Sequence, residues 1–328
     1  MKPRSNPFSR PALLAAAIGF CLGATSSAHA GTYYWDTDGS GTPGFGTASG
    51  TWGTNTYWGT DSAGSGATAN TTIGTSDDVN FGTASAGLLA GTIAGPGTAQ
   101  GFLNMTFGSA SGAINLSGGK LNLSTAGSTI TVNNAADTIT NTILQGSGGK
   151  LIKSGAGKLT LNVNTANKPT YTGATVVDQG TLELIAVNTT ATGLASSSSI
   201  TINNGGTILV SGDNSFQGYS SASAGQLTIN AGGLMTTSSG VTAWIRGNLE
   251  LNGGELASHA TTDSQYGTWT LGQDVTAINA VTSTMSAKEM NWAQTTTRTF
   301  TVSNAAGILN VTGTFARPSV SPVALPAP

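Results

Sequence analysis

Apolar positions recur with a period of two, in short runs, most clearly over residues 151–184, LIKSGAGKLTLNVNTANKPTYTGATVVDQGTLEL. Three alternating runs stand in this stretch: Lys158-Leu159-Thr160-Leu161, Thr175-Val176-Val177 and Thr181-Leu182-Glu183-Leu184. Gly155, Gly157, Gly173 and Gly180 punctuate them, together with Asn162, Asn164, Asn167 and Pro169. Alternation of branched side chains, broken by Gly and Asn, predicts short strands joined by tight turns. No 3.6-residue stripe competes with it. The pattern predicts Leu159, Leu161, Val176, Leu182 and Leu184 as inward positions and Thr160, Thr175 and Glu183 as outward ones.

The same phrase returns on both sides. Gly118-Gly119-Lys120-Leu121, Gly148-Gly149-Lys150-Leu151, Gly206-Thr207-Ile208, Gly254-Glu255-Leu256 and Gly307-Ile308-Leu309 repeat the corner and strand start. A second phrase precedes several of them, as in Ile130-Thr131-Val132-Asn133-Asn134, Ile200-Thr201-Ile202-Asn203-Asn204 and Leu227-Thr228-Ile229-Asn230. Strand, Asn/Gly corner, strand is the unit, with one coil per ~20–25 residues. In-register stacking of such coils predicts an all-β chain, a right-handed parallel β-helix of about nine coils over residues 102–315.

Residues 151–184 resemble the autotransporter-associated β-strand repeat, also called the passenger-associated transport repeat. The resemblance lies in Lys153-Ser154-Gly155-Ala156-Gly157-Lys158-Leu159-Thr160-Leu161, in Tyr171-Thr172-Gly173-Ala174-Thr175-Val176-Val177, and in Gly180-Thr181-Leu182. Its motif positions are Gly155, Gly157, Leu159, Tyr171, Gly173, Thr175, Gly180 and Leu182. The resemblance implies a β-helical protein secreted by, or displayed on, a Gram-negative-type bacterium. Some members end in an outer-membrane β-barrel. No series of ten-residue alternating strands with aromatic girdles closes this sequence.

The N-terminus adds an export signal to this picture. Lys2, Arg4 and Arg10 precede an apolar run at 13–24 that is too short to span a bilayer. Ala28-His29-Ala30 then predicts cleavage before Gly31, so residues 1–30 read as a signal peptide. The single cysteine, Cys21, lies within it behind Phe20, which argues against lipid anchoring and leaves no disulfide framework. Cleavage takes the 12 basic residues down by three, to nine against 14 acidic ones, so no basic excess remains to grip nucleic acid. No later apolar run reaches membrane-spanning length.

Composition points the same way. Charged residues are 8% of the chain and glycines number 47, too few large apolar side chains for a thick core. A thin core stacked coil on coil needs fewer. Residues 31–101 form a separate module in which Tyr33, Tyr34, Trp35, Phe45, Trp52, Tyr57 and Trp58 crowd together. An aromatic N-terminal cap over the first coil is the favoured reading, and a sugar-stacking surface is its rival. Residues 316–328 are a Pro-rich tail.

Candidate chemistry is sparse. Asp36, Asp38 and Ser40 match the start of a calcium loop, but Thr47 stands where the bidentate Glu belongs. A Gly-rich Asx turn is the simpler account. His259 is the sole histidine after cleavage, no G-x-S-x-G is present, and one His without Cys makes no zinc set. Asp178 with Glu183, Glu250 with Glu255, and Asp263 with Asp274 are the carboxylate pairs available to a polysaccharide lyase or glycoside hydrolase, the enzyme alternative. Trp244, Trp269 and Trp292 could line a groove, although packing under loops suits them better. The sequence reading is therefore a secreted or cell-surface, adhesin-like structural protein without catalysis or cofactor. Its expected partners are polysaccharide or cell-surface components, not nucleic acid.

Overall fold

A computed structural model describes residues 30–39, 44–186, 193–218, 224–259, 268–292 and 298–315. The expected signal peptide apart from Ala30, the Pro-rich tail, Ser40 and Asp263 lie outside the described residues. The regular structure is all β. No helix among the described residues is long and apolar enough to cross a membrane.

One turn of the chain shows how the alternation folds. Asn104–Phe107, Ile114–Ser117 and Lys120–Leu123 form three sides, and Ser128–Val132 then returns beside Asn104–Phe107 in parallel. Repetition of this step builds a parallel β-helix. Its first sheet has 13 strands, of which those from Thr32–Trp35 to Phe300–Val302 are parallel. Two short antiparallel strands, Trp58–Gly59 and Thr68–Ala69, close its N-terminal edge. The second sheet has 10 parallel strands, from Gly91–Ala94 to Ile308–Val311. The third side carries a 3-stranded sheet near one end and a 4-stranded sheet near the other. Between them loops take its place, and Tyr171, Leu194 and Phe216 fill the interior there.

Every second residue joins a column through the interior. In the first sheet Met105, Ile130, Lys153, Val177, Ile202, Ile229 and Leu251 stack in register. In the second, Asp137, Leu159, Leu182, Ile208, Met235, Leu256 and Met285 do so. All of these side chains are buried, and two of them are ionisable. Corners need backbone that turns sharply. The three non-glycine residues with positive φ among the described ones, Asn141, Asn214 and Asn279, are all asparagines.

The register expected for Leu159, Leu161, Leu182 and Leu184 holds, since all four are buried. The middle strand differs. Thr175 and Val177 are fully buried and Val176 is only half-buried, the reverse of the expected alternation. The reason is a hydroxyl that is satisfied inside: Thr175 Oγ1 lies 2.6 Å from Tyr171 Oη and 2.7 Å from Ser197 Oγ. With its polar group paired, Thr packs as an isostere of Val. Thr160 and Glu183 do alternate with the inward leucines, but they are covered rather than exposed, at 7% and 8%. A hydrogen bond of 2.9 Å joins them across one coil, and Lys158 lies over Glu183.

The N-terminal aromatics form an interior cluster. Trp58 meets Trp35 and Trp52 edge to face at 4.9 and 5.0 Å, and Phe81 stacks on Phe107 at 5.1 Å. Trp35, Phe45 and Trp52 are fully buried, so their faces offer nothing to a sugar. Thr32–Trp35 pairs in parallel with Asp78–Phe81, which places this cluster over the first coil.

Candidate functional site: the repeat unit and its polar ladders

Residues 151–184 make a coil and the start of the next; they contain the strand Lys158–Val163 and most of the longest one, Gly180–Ala186. Each motif position has a local physical role. Gly155 turns the first corner at φ 75°, and a Cβ there would run into the Val132 carbonyl of the preceding coil. Gly173 lies on the Gly149 carbonyl in the same manner. Gly157 and Gly180 donate their N–H groups to Val132 and Gly205, tying each corner to a neighbouring coil. Leu159 and Leu182 are one column, and Tyr171 with Thr175 and Ser197 is one hydroxyl chain. Burial pushes the Tyr171 hydroxyl up to about 12, so it remains a neutral hydrogen-bonding group.

Lys153 is the unexpected member of this unit. It occupies an interior column between Ile130 and Val177 and is fully buried. Its ammonium donates to the carbonyls of Ser154 at 2.7 Å, Gly155 at 2.8 Å and Gln179 at 3.0 Å. Three donors meet three acceptors, and the last belongs to the next coil's corner. Burial pulls its pKa down to about 8, and the charge of Asp137 opposes that shift. Asp137 sits in the other sheet's interior column. Its Oδ1 accepts from Ile114 N at 2.7 Å and Asn134 Nδ2 at 3.0 Å, and its Oδ2 has no hydrogen-bond partner in the described structure. Burial raises this carboxyl to about 6, against the hydrogen bonds and the Lys153 charge.

These shifts make stability depend on pH with a defined sign. The folded Asp137 binds its proton more tightly than the unfolded chain, whose carboxyl titrates at 3.8. Its contribution is complete below that value and is lost as pH rises through about 6. Two units correspond to roughly 3 kcal/mol. Asp137→Asn keeps the acceptor and removes the charge. The wild type should therefore gain on this variant by 1–3 kcal/mol (about) in unfolding free energy between pH 7 and pH 4. A constant difference in paired denaturant melts at the two pH values would contradict the assignment.

Polar side chains outside the core link coils rather than converge on a centre. Asn203 donates to Asp178 at 2.6 Å, Asn230 to Asn203 at 2.7 Å, Asn252 to Asn230 at 2.9 Å and Asn279 to Asn252 at 2.7 Å. This amide ladder climbs one corner of the helix through five successive coils. On the same sheet, outward positions Thr129, Ile152, Val176, Thr201, Thr228, Glu250, Thr276 and Thr301 form a straight row. The second sheet carries Thr160, Glu183, Ser211 and Ser238, joined by bonds of 2.7–2.9 Å.

The carboxylates suggested for catalysis are taken up by these ladders. Asp178 ends the amide ladder, Glu183 pairs with Lys158 at 2.7 Å, and Glu250 accepts from Thr228 at 3.3 Å. Burial pushes the Glu183 carboxyl up, but hydrogen bonds from Lys158, Ser211 and Thr160 hold it below its ordinary 4.5. Glu255 accepts from Ser286, and Asp274 from the Thr299 N–H. His259 is exposed and its N–H reaches Thr237 Oγ1. Trp269 is buried and donates to Ala257 O, while Trp244 lies under the Arg246 guanidinium at 4.0 Å. Among the described residues no three of His, Cys, Asp and Glu come together as a metal cluster. Asp36 is buried, and its Oδ1 accepts from the N–H groups of Asp38 and Gly39. Burial, with Asp38 beside it, raises its carboxyl to about 6.

Sequence reasoning missed the two ionisable groups in the interior columns, Asp137 and Lys153. The signal for the second was available: a lysine at an inward position of an otherwise apolar alternation. The Asn ladder was half visible, since Asn recurs directly after the Ile-Thr-Val/Ile phrase.

No curated protein and no solved structure matches the chain. Residues 151–184, which hold the Lys153 cradle and the Tyr171–Thr175 hydroxyl contact, match the model of the Passenger-associated-transport-repeat family.

Proposed function

We propose that the protein is a secreted or surface-displayed, non-catalytic passenger of a Gram-negative-type bacterium that makes adhesin-like contacts with polysaccharide. The observation that carries this reading is the repeat of residues 151–184 set within one continuous parallel β-helix. The Thr-rich row from Thr129 to Thr301 beside the Asn ladder supports the ligand class. It repeats hydroxyl and methyl groups at the strand spacing of ~4.8 Å, a regular register for a regular polymer. Each contact is weak, and many along one chain add through effective concentration.

Export predicts an N-terminus at Gly31, and sequencing of extracellular material that begins at Met1 would contradict it. Incubation with pectin, alginate, xylan and chitin oligosaccharides should leave every chain length unchanged. Retention by the matching polymer should rise with chain length and fall when Thr201, Thr228 and Thr276 are replaced by Glu. Shortening of any oligosaccharide, abolished by Asp178→Asn or Glu250→Gln, would establish the enzyme alternative instead.

A further inference from the structure

Building on cleavage before Gly31, as the export reading has it, we propose that Asp77 is a binding site for the chain's own new N-terminus. Processing would then lock the first strand, Thr32–Trp35, onto the first coil. Gly31 N donates to Asp77 Oδ1 at 2.9 Å, across 46 residues of sequence. Gly31 O accepts from Asp78 N at 2.8 Å. These two bonds hold the start of Thr32–Trp35 against Asp78–Phe81, the pairing that carries Trp35 into the aromatic cluster. A Cβ on Gly31 would run into the Tyr33 ring, so the residue that reaches Asp77 is one where a side chain does not fit.

Asp77 is held in place by its own turn. Its N–H donates to Gly74 O at 3.1 Å, its Oδ2 accepts from Gly74 N at 2.8 Å, and its carbonyl accepts from Leu103 N of the next coil at 2.7 Å. The residue is only 9% exposed. Among the described residues no lysine or arginine makes an ion pair with it. A carboxylate so covered, with neutral N–H donors alone, lacks the opposite charge that offsets burial. The neighbouring acid, Asp78, accepts instead from Asn104 Nδ2 at 2.7 Å. Hydrolysis of the Ala30–Gly31 bond supplies the missing charge. Water gives its hydroxyl to the Ala30 carbonyl carbon and a hydrogen to the Gly31 nitrogen, which binds a further proton at neutral pH. The donor at 2.9 Å becomes an ammonium, and a neutral hydrogen bond becomes a charge-assisted one of roughly twice the strength.

A cycle of four chains tests this: the mature chain begun at Gly31 or one residue earlier at Ala30, each with Asp77 or with Asp77→Asn. Keeping Ala30 leaves the Gly31 nitrogen a peptide amide and moves the ammonium about 3.8 Å along the chain. In urea melts, Ala30 should raise the unfolding equilibrium constant about tenfold with Asp77 in place, and less than about twofold beside Asp77→Asn. If the Asn variant does not fold, the native chain decides alone. At neutral pH its Gly31 amine should react with an acylating reagent roughly tenfold more slowly when folded than in urea. No effect of Ala30, an equal effect in both backgrounds, or equal acylation rates would each overturn the proposal with the cleavage intact. Exported protein that begins elsewhere than Gly31 would overturn it at the cleavage step instead, whatever the melts give.

Discussion

Replacing Lys153 by methionine is expected to lower the unfolding free energy by about 3 kcal/mol, the cost of leaving buried acceptors without their charged donor. Methionine matches the length of the side chain and fits the column between Ile130 and Val177. It cannot donate, so the carbonyls of Ser154, Gly155 and Gln179 lose their shared partner in a dry corner. Asp137 also loses the nearby charge that opposes its burial. The control is Lys158→Met. That lysine pairs with Glu183 at 2.7 Å, but its side chain is 41% exposed, and such pairs contribute below about 1 kcal/mol. Denaturant melts of both variants decide the matter. Equal losses would mean that the buried ammonium does not brace the corner between coils.

Leu182→Asp is expected to cost several kcal/mol, because an unpaired carboxylate would stand in a closed apolar column. Leu159 and Ile208 pack above and below it, and no donor lies among these neighbours. Val176→Asp should cost less than about 1 kcal/mol, since that side chain faces out on the first sheet. Thr160→Asp falls between them. Thr160 donates to Glu183 at 2.9 Å, and a carboxylate in its place would oppose another. The order Leu182, Thr160, Val176 is the result to look for in urea midpoints. A loss at Val176 as large as that at Leu182 would reverse the register given to the middle strand.

Period-two alternation and the spacing of the Gly and Asn corners were enough to read a parallel β-helix, its coil length and the inward Leu columns. Both signals are local and repeat many times, so single irregular positions do not erase them. The strand at 175–177 was misread because Thr and Val have nearly the same shape. Which of them goes inside depended on Tyr171, four residues earlier, and on Ser197, one coil later. Asp137 and Lys153 were hidden for a related reason: polarity marks a residue as outward until its partners are known. The ladders join residues roughly one coil apart, a separation that a search for clustered acids does not sample. The carboxylates proposed for a lyase are spread along the axis, and each described one bonds to a neighbouring coil instead of facing another across a groove.

The stacking of coils in fixed register is the central claim, and a pair of distances tests it most directly. With Cys21 replaced by alanine, spin labels at positions 129 and 228 and at positions 129 and 301 report on one outward row. The first pair is four strand steps apart and the second seven, which predicts backbone separations of about 19 and 34 Å at ~4.8 Å per step. Double electron–electron resonance should give two narrow distributions in a ratio close to seven to four. Broad distributions, or a second distance no longer than the first, would contradict the parallel β-helix and every inter-coil contact derived from it.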